Sequence, residues 1–203
     1  MIDAREALRR LREGNRRFVH DRTGDAATSP SRRRELVDSQ EPFAIILGCS
    51  DSRVPAEIVF DQGLGDLFVI RVAGNIVAPS QVGSVEFAAE RFGTRLVVVL
   101  GHSQCGAILA TLEQLGRPSG DQSRNLRSIV DRIRPSVSTL LATAAGRDRD
   151  ELIDQAVRAN IRASVDHLRH GSEVLEQLGG EGLLVVGAEY SLATGLVDFF
   201  DDG

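Results

Sequence analysis

The chain has 203 residues and a formal net charge of −5, and all 24 of its basic side chains are arginine. Because it has no lysine, it cannot use a P-loop lysine, a Schiff-base lysine or a phosphate-pairing lysine of the kinase type. Its mildly acidic, mixed charge argues against a nucleic-acid binder. No apolar run approaches the roughly 18 residues of a membrane span, and the N-terminus shows no signal peptide. The two cysteines are too few for a disulfide scaffold, so we expect a cytoplasmic protein whose reduced thiols serve metal binding or catalysis.

The first part of the chain is predicted to be helical. Asp3 can cap a helix over Asp3–Phe18, in which the leucines follow helical spacing but form only a thin apolar stripe among arginines. Residues 21–31 have the composition of a loop, and a short arginine-rich helix is expected at about residues 32–39. The thin stripe predicts that the first helix packs on something beyond its own short neighbourhood.

The rest of the chain alternates apolar runs with amphipathic stretches. Four short runs rich in Val, Ile and Leu predict strands of a parallel sheet that is covered on both faces: Phe43–Leu47, Leu67–Val72, Leu96–Leu100 and Leu183–Val186. Helices are predicted at Ser80–Phe92, Gln104–Leu115, Arg124–Ala145 and Arg149–Leu178, and a hairpin or edge strand in the tail Tyr190–Phe200. The predicted fold class is therefore α/β, with a mostly parallel sheet of four to five strands flanked by helices, in a single domain over residues 1–203.

Both cysteines lie just after predicted strands. Cys49 begins the stretch Cys-Ser-Asp-Ser-Arg, and Cys105 lies in Gly-His-Ser-Gln-Cys-Gly with His102. Ligands bind at the carboxyl ends of strands in open parallel sheets, so Cys49, His102 and Cys105 can converge there. Two thiolates and one imidazole suit tetrahedral zinc, and three protein ligands leave a position for water, as in catalytic sites.

Two charged residues follow Cys49 closely enough to act on the same metal. Asp51 could supply a fourth ligand, which would close the site, and Arg53 can form a bidentate pair with that carboxylate instead. The sequence therefore predicts a gate, with Asp51 either on zinc or on Arg53. Taken singly, a buried cysteine is usually a small hydrophobe and a histidine at a helix start is usually a polar cap. The joint pattern favours the metal site.

The two motifs resemble those of the β-class carbonic anhydrases, and the similarity extends over nearly the whole chain. It includes Gln40–Phe43, Gly65–Asn75, Gly83–Ala88 and Gly187–Gly195. The resemblance implies a lyase that hydrates CO2 reversibly to bicarbonate and a proton, with one Zn2+ per subunit on Cys49, His102 and Cys105. It also implies a catalytic dyad of Asp51 and Arg53, in which Asp51 accepts a hydrogen bond from zinc-bound hydroxide.

The resemblance further implies substrate contacts and an assembly. The matching substrate-binding positions are Gln40, Phe68, Ala73, Phe87 and Gly106. Gln40 would reach the substrate from a partner subunit, the two phenylalanines would form an apolar wall, and Gly106 would offer its N–H. We expect a homodimer or homotetramer in which the helical arm of residues 1–40 packs on a partner subunit. CO2 and bicarbonate are the expected partners, with no nucleic acid and no membrane.

A second bicarbonate site is less complete in this sequence. Some members of the family bind inhibitory bicarbonate with a Trp, an Arg and a Tyr. Arg71 and Tyr190 match the last two, whereas Ile46 stands at the Trp position.

We also expect activity to rise steeply between neutral and alkaline pH, as Asp51 leaves zinc for Arg53.

Three alternatives stay open. The same scaffold could hydrolyse carbonyl sulfide or carbon disulfide, which depends on access to the pocket. The protein could bind zinc or bicarbonate without catalysis, with Asp51 locked on the metal, although Arg53 argues against this. It could also be a thiol redox protein, which the absence of a Cys-x-x-Cys pair makes unfavourable.

Overall fold

A computed structural model describes residues 2–24, 29–115, 123–142 and 148–200. Its strands are β1 (Ala44–Gly48), β2 (Leu67–Arg71), β3 (Leu96–His102), β4 (Leu184–Tyr190) and β5 (Val197–Phe200). They form a five-stranded sheet in the order β2-β1-β3-β4-β5. The first four strands are parallel, and β5 runs antiparallel to β4 at the edge. The predicted mostly parallel sheet is confirmed, and β5 is the edge strand expected in the tail.

Helices cover both faces of this sheet. They are α1 (Ala4–Val19), α2 (Pro30–Glu35), α3 (Ala56–Val59), α4 (Pro79–Arg91), α5 (Gly106–Leu115), α6 (Arg124–Ala142), α7 (Arg149–His170) and α8 (Glu173–Gly180). Side chains alternate along a strand, so Ile45 and Leu47 pack towards α4 to α8, whereas Ile46 packs towards α1 and α3. Among the described residues, no helix is both long and apolar enough to cross a bilayer.

The structure corrects the predicted starts of two helices. α2 occupies Pro30–Glu35 rather than about 32–39, because Ser29 caps it and Pro30 suits the first turn. α5 begins at Gly106 rather than at Gln104, because Gln104 has a left-handed φ of 55° that an α-helix does not accept. The short helix α3 was not predicted. α6 is described as far as Ala142, and the rest of the predicted helix to Ala145 lies outside the described residues.

The long helix predicted over Arg149–Leu178 is in fact two helices, α7 and α8. Helix α7 ends before Gly171, where the Cβ of any other residue would lie 2.5 Å from the carbonyl oxygen of His167. Ser172 then starts a new helix, since its hydroxyl accepts a hydrogen bond from the Leu175 N–H at 3.2 Å. A glycine followed by a cap residue therefore ended the helix, although the apolar periodicity continued.

Helix α1 packs on the sheet of its own chain. Ala7, Leu8 and Leu11 are buried in the same apolar cluster as Ile46. The buried Asn15 ties the helix to the edge of the sheet: its Nδ2 donates to the Gly195 carbonyl at 2.8 Å, and its Oδ1 accepts from the Val197 N–H at 2.9 Å. The thin apolar stripe is thus covered within one chain. Packing of the arm 1–40 on a partner subunit stays a prediction.

Candidate metal centre

Three candidate metal ligands meet at the carboxyl edge of the sheet. Cys49 directly follows β1, His102 is the last residue of the adjacent parallel strand β3, and Cys105 lies in the turn before α5. The two Sγ atoms are 4.0 Å apart. The ligand atoms of all three side chains lie within 4.8 Å of one another, and all three residues are buried. The structure therefore brings together the trio that the sequence predicts.

The imidazole of His102 is oriented as a ligand. Its Nδ1 lies 2.9 Å from the carbonyl oxygen of Ser103. A proton on Nδ1 makes this a hydrogen bond and leaves the lone pair on Nε2. Nε2 is buried and has no hydrogen-bond partner among the described residues. A buried nitrogen of this kind needs a partner, and a metal ion supplies one.

The sulfur positions also fit zinc. In a tetrahedral site with Zn–S bonds of about 2.3 Å, two sulfurs stand about 3.8 Å apart. The 4.0 Å between the Cys49 and Cys105 sulfurs is close to that value and far from the roughly 2.05 Å of a disulfide bond. Both cysteines are accordingly free thiols. The soft donor set and its spacing fit zinc.

The charges of the three ligands are interdependent. The Cys105 thiol, followed by His102 and the Gly74 N–H, lowers the pKa of Cys49 in spite of burial. The Cys49 thiolate, together with burial, then raises the pKa of Cys105. Burial disfavours a charged His102, but the Cys49 thiolate, the Ser103 carbonyl and the Asp51 carboxylate together outweigh burial and raise the pKa of the imidazole. The pocket therefore stabilises one thiolate by itself and needs a cation to stabilise the second.

Asp51 and Arg53 form a bidentate ion pair beside the ligands. Arg53 Nε donates to Asp51 Oδ1 at 2.9 Å, and Nη2 donates to Oδ2 at 2.8 Å. The Arg53 guanidinium holds the pKa of Asp51 well below its usual range, so the carboxylate is ionised. Its Oδ2 lies 3.8 Å from Nε2 of His102. Asp51 is therefore held by Arg53 within a short distance of the metal position, which is one of the two predicted arrangements.

A sequence model of the carbonic anhydrase family matches residues 44–197, a range that contains the three ligands and the ion pair. The chain belongs to the carbonic anhydrase family. A carbonic anhydrase of Mycolicibacterium smegmatis is 40% identical over 196 residues, which cover 95% of this chain and 91% of the relative.

Solved structures of the same family have a similar fold. A β-carbonic anhydrase of Aspergillus fumigatus is similar with a TM-score of 0.75 and 25% identity, covering 98% of this chain and 90% of that one. A tetrameric β-carbonic anhydrase of Sordaria macrospora has a TM-score of 0.75 and 23% identity, covering 85% of this chain and 87% of that one. The predicted resemblance to the β class is confirmed.

Two of the predicted substrate residues lie at the carboxyl edge of the sheet, beside the metal ligands. Ala73 follows β2 and precedes Gly74, whose N–H donates to Cys49 Sγ at 3.3 Å. Gly106 is the first residue of α5, so its N–H is among those that have no acceptor within the helix. Their roles in binding substrate stay predictions.

The other three predicted substrate residues lie at the opposite, amino edge of the sheet. Phe68 pairs in register with Ile45, four residues before Cys49 along a strand that rises about 3.3 Å per residue. Gln40 lines a groove of about 520 Å³ with Leu64, Gly65 and Phe92. All of these groove residues precede strands, whereas the metal ligands follow or end them. One chain therefore does not bring Gln40 or Phe68 to its own metal ligands.

Phe87 belongs to the same amino-edge region. Its ring centroid lies 6.2 Å from that of Phe68 and 5.7 Å from that of Phe92, and Phe68 and Phe92 are 6.1 Å apart. The side chain of Phe87 is 53% exposed. Phe68, Phe87 and Phe92 thus form a cluster of three rings on a surface away from the ligands of their own chain. The role of Phe68 and Phe87 as the apolar wall of a substrate pocket stays a prediction.

The residues of the predicted second bicarbonate site have partners within the chain. Arg71 Nε donates to the carbonyl of Cys49 at 3.1 Å, and Nη2 donates to that of Asp51 at 2.7 Å. Tyr190 is buried, with its ring centroid 6.5 Å from that of Phe18, and Ile46 is completely buried. Arg71 therefore supports the main chain that carries Cys49 and Asp51, a role that sequence reasoning missed. The second site itself stays a prediction.

Sequence reasoning also missed the role of the turn after β2. Gly74 and Asn75 have left-handed φ angles of 70° and 42°, and the Gly74 N–H faces Cys49 Sγ. A Gly-Asn pair after an apolar run is a turn signal. That signal could have located the turn, but it does not show which sulfur the turn approaches.

Proposed function

We propose that this protein hydrates CO2 reversibly to bicarbonate and a proton, with one zinc ion per subunit on Cys49, His102 and Cys105. The observation that carries the proposal is the buried trio of ligand atoms within 4.8 Å of one another. When bound there, zinc supplies a nucleophile derived from water near neutral pH. The family match of residues 44–197 supports the assignment of the reaction.

The chain's own residues would orient the reactants. Asp51 is ionised and lies 3.8 Å from the ligand nitrogen of His102, so it can accept a hydrogen bond from the reacting water. Arg53 holds Asp51 by two hydrogen bonds, of 2.9 and 2.8 Å, and so keeps the fourth metal position accessible. Loss of that pair would free Asp51 to close the site. We also propose that activity rises from neutral to alkaline pH, as the gate shifts from Asp51 on the metal to Asp51 on Arg53.

We propose that the working unit is a homodimer, which can associate further into a tetramer. Gln40, Phe68 and Phe87 lie at the edge of the sheet opposite the metal ligands, so a second copy must bring them to the substrate. Val37 and Leu64 line the groove with Phe92, which Phe87 contacts, and their exposed fractions are 76% and 41%, with 53% for Phe87. Such exposed apolar surfaces are typical of association sites.

The free thiols favour a reducing cytoplasm as the location.

Stopped-flow CO2 hydration together with metal analysis tests the reaction. We expect about one zinc per chain and turnover in the unmodified protein, and zinc with strongly reduced turnover in Asp51→Asn. No bound zinc, or zinc without turnover across neutral and alkaline pH, would refute the proposed function. Sulfide release from carbonyl sulfide or carbon disulfide that is faster than CO2 hydration would support the hydrolase alternative instead.

A further inference from the structure

The turn at residues 72–75 presents one N–H group to a metal thiolate. The Asn75 N–H donates to the Val72 carbonyl at 3.0 Å and closes the turn. The Gly74 N–H points away from the turn and donates to the buried Cys49 Sγ at 3.3 Å. Gly74 and Asn75 both have left-handed φ angles, of 70° and 42°. Asn75 is not a glycine, so its left-handed conformation costs free energy, and contacts with surrounding residues must stabilise the turn.

Two buried polar side chains of α7 provide that hold. Asn160 Nδ2 donates to the Gly74 carbonyl at 2.8 Å, and Ser164 Oγ donates to the Asn75 carbonyl at 3.1 Å. They are one helical turn apart, so they share a face of α7. Their exposed fractions are only 3% and 5%. Buried polar groups need partners, and these two bond consecutive carbonyls of the same turn.

Apolar packing fixes the other side of the turn. A Cβ on Gly74 would lie 2.8 Å from Ile133 Cδ1 on α6 and 3.0 Å from Ala107 Cβ on α5. The turn therefore lies between these two helices and the polar face of α7. This arrangement leaves little room for the Gly74 peptide to rotate away from the sulfur.

We propose that Asn160 and Ser164 are positioning residues for the Cys49 thiolate, and that they act by holding the Gly74 N–H against its sulfur. An N–H donor withdraws charge from a thiolate, so the sulfur donates less to the metal. Two thiolates would largely neutralise the positive charge of a bound zinc ion. The hydrogen bond from Gly74 draws electron density from one of them, so the zinc would keep more of its positive charge. The inference rests on the proposed zinc site but not on the reaction at that site.

Cobalt substitution gives a direct measure of the sulfur's charge. With Co2+ in the site, Asn160→Ala and Ser164→Ala are expected to move the sulfur-to-cobalt charge-transfer band to longer wavelength, because a thiolate without its donor is oxidised more easily. Zinc release to a chelator should accelerate about tenfold or more for a separate reason: the loosened turn no longer holds the Cys49 sulfur in place, and residues that orient metal ligands carry effects of that size. Ser164→Thr keeps the hydroxyl and should keep the parent band.

The chain offers matched controls for both variants. Asn15 is a buried asparagine that donates to the Val59 carbonyl at 3.1 Å, and Thr94 is a buried hydroxyl that donates to the Pro42 carbonyl at 2.7 Å. Asn15→Ala removes three hydrogen bonds and Thr94→Val removes one, all away from the turn. These variants should lower the melting temperature at least as much as Asn160→Ala and Ser164→Ala, while the charge-transfer band and the rate of zinc release stay unchanged.

The outcomes are separable. If Asn160→Ala and Ser164→Ala keep the parent band and zinc release rate, as the controls do, the positioning role is refuted. If Asn160→Ala does not fold, the comparison of Ser164→Ala with Thr94→Val decides the question alone. If the band shifts in Asn160→Ala and Ser164→Ala but the unmodified protein does not hydrate CO2, the positioning role is supported and the proposed function is refuted.

Discussion

The two edges of the sheet are built in opposite ways. At the carboxyl edge, Cys49, His102 and Cys105 are 5%, 0% and 1% exposed. Arg71, Arg53 and the turn at Gly74 support them from the same chain. At the amino edge, Phe87 is 53% exposed within a cluster of three phenylalanine rings, beside the groove that holds Gln40.

The contrast shows that one chain brings its three metal ligands together but leaves three of its five predicted substrate residues, Gln40, Phe68 and Phe87, at the opposite edge of the sheet. The ligands depend on adjacent strand ends, which a single sheet brings together. Gln40, Phe68 and Phe87 lie at the amino edge, so the same sheet holds these three apart from the ligands. In the proposed homodimer, the amino edge of a second copy would lie over the carboxyl edge of the first and bring the two sets of residues together.

The largest expected effect comes from breaking the carboxyl edge. Cys49→Ser and His102→Ala each remove a ligand, so zinc content should fall to background and CO2 hydration by about a thousandfold or more. Metal analysis and stopped-flow kinetics measure both quantities. Ser50→Ala changes the exposed neighbour of Cys49 and should keep full zinc. A ligand variant that retains stoichiometric zinc would contradict the assignment.

The next largest effect comes from charging the amino edge. Phe87→Asp places a carboxylate in the exposed ring cluster and should weaken association by about 2 kcal/mol or more, as for a central interface residue. Sedimentation should then show monomers that bind zinc but turn over slowly. The matched control is Leu126→Asp on α6, where the parent side chain is 46% exposed. If both variants sediment like the parent protein, the amino edge is not the interface.

A smaller effect is expected within the carboxyl edge at Arg53. Arg53→Lys keeps the positive charge but loses the two-point contact with Asp51, so activity should fall about 10- to 100-fold with zinc content unchanged. Arg53→Ala should lower activity at least as far. Stopped-flow kinetics on the two variants measure the effect. Equal activity in Arg53→Lys and the parent protein would show that the bidentate geometry is not required.

The four parallel strands and the residues at their carboxyl ends could be predicted from the sequence. Continuous apolar runs fix where buried strands lie, and residues that directly follow adjacent strands must come together. This is why Cys49, His102 and Cys105 were identified before their geometry was known. Because Gln40 precedes β1, the sequence also predicts that it lies at the amino edge. Only the family resemblance indicated that Gln40 reaches the substrate of a partner subunit.

The supporting residues could not be predicted in the same way. Asn160 and Ser164 lie in an amphipathic helix, where a polar residue usually faces solvent, and their burial depends on a turn far away in the chain. Arg71 ends a strand as one of 24 basic residues, and nothing local distinguishes it. The break between α7 and α8 at Gly171 was missed because apolar spacing continued across it.

The most direct test of the central claim is subunit complementation between Gln40→Ala and Cys49→Ser. A heterodimer isolated with two affinity tags contains one site with all three ligands and a partner that retains Gln40. If the partner completes the site, this heterodimer should recover about half of the parent rate, because one of its two symmetry-related sites is intact. A heterodimer no more active than the mean of the two variant homodimers would show that Gln40 does not act across the interface, and would contradict the account.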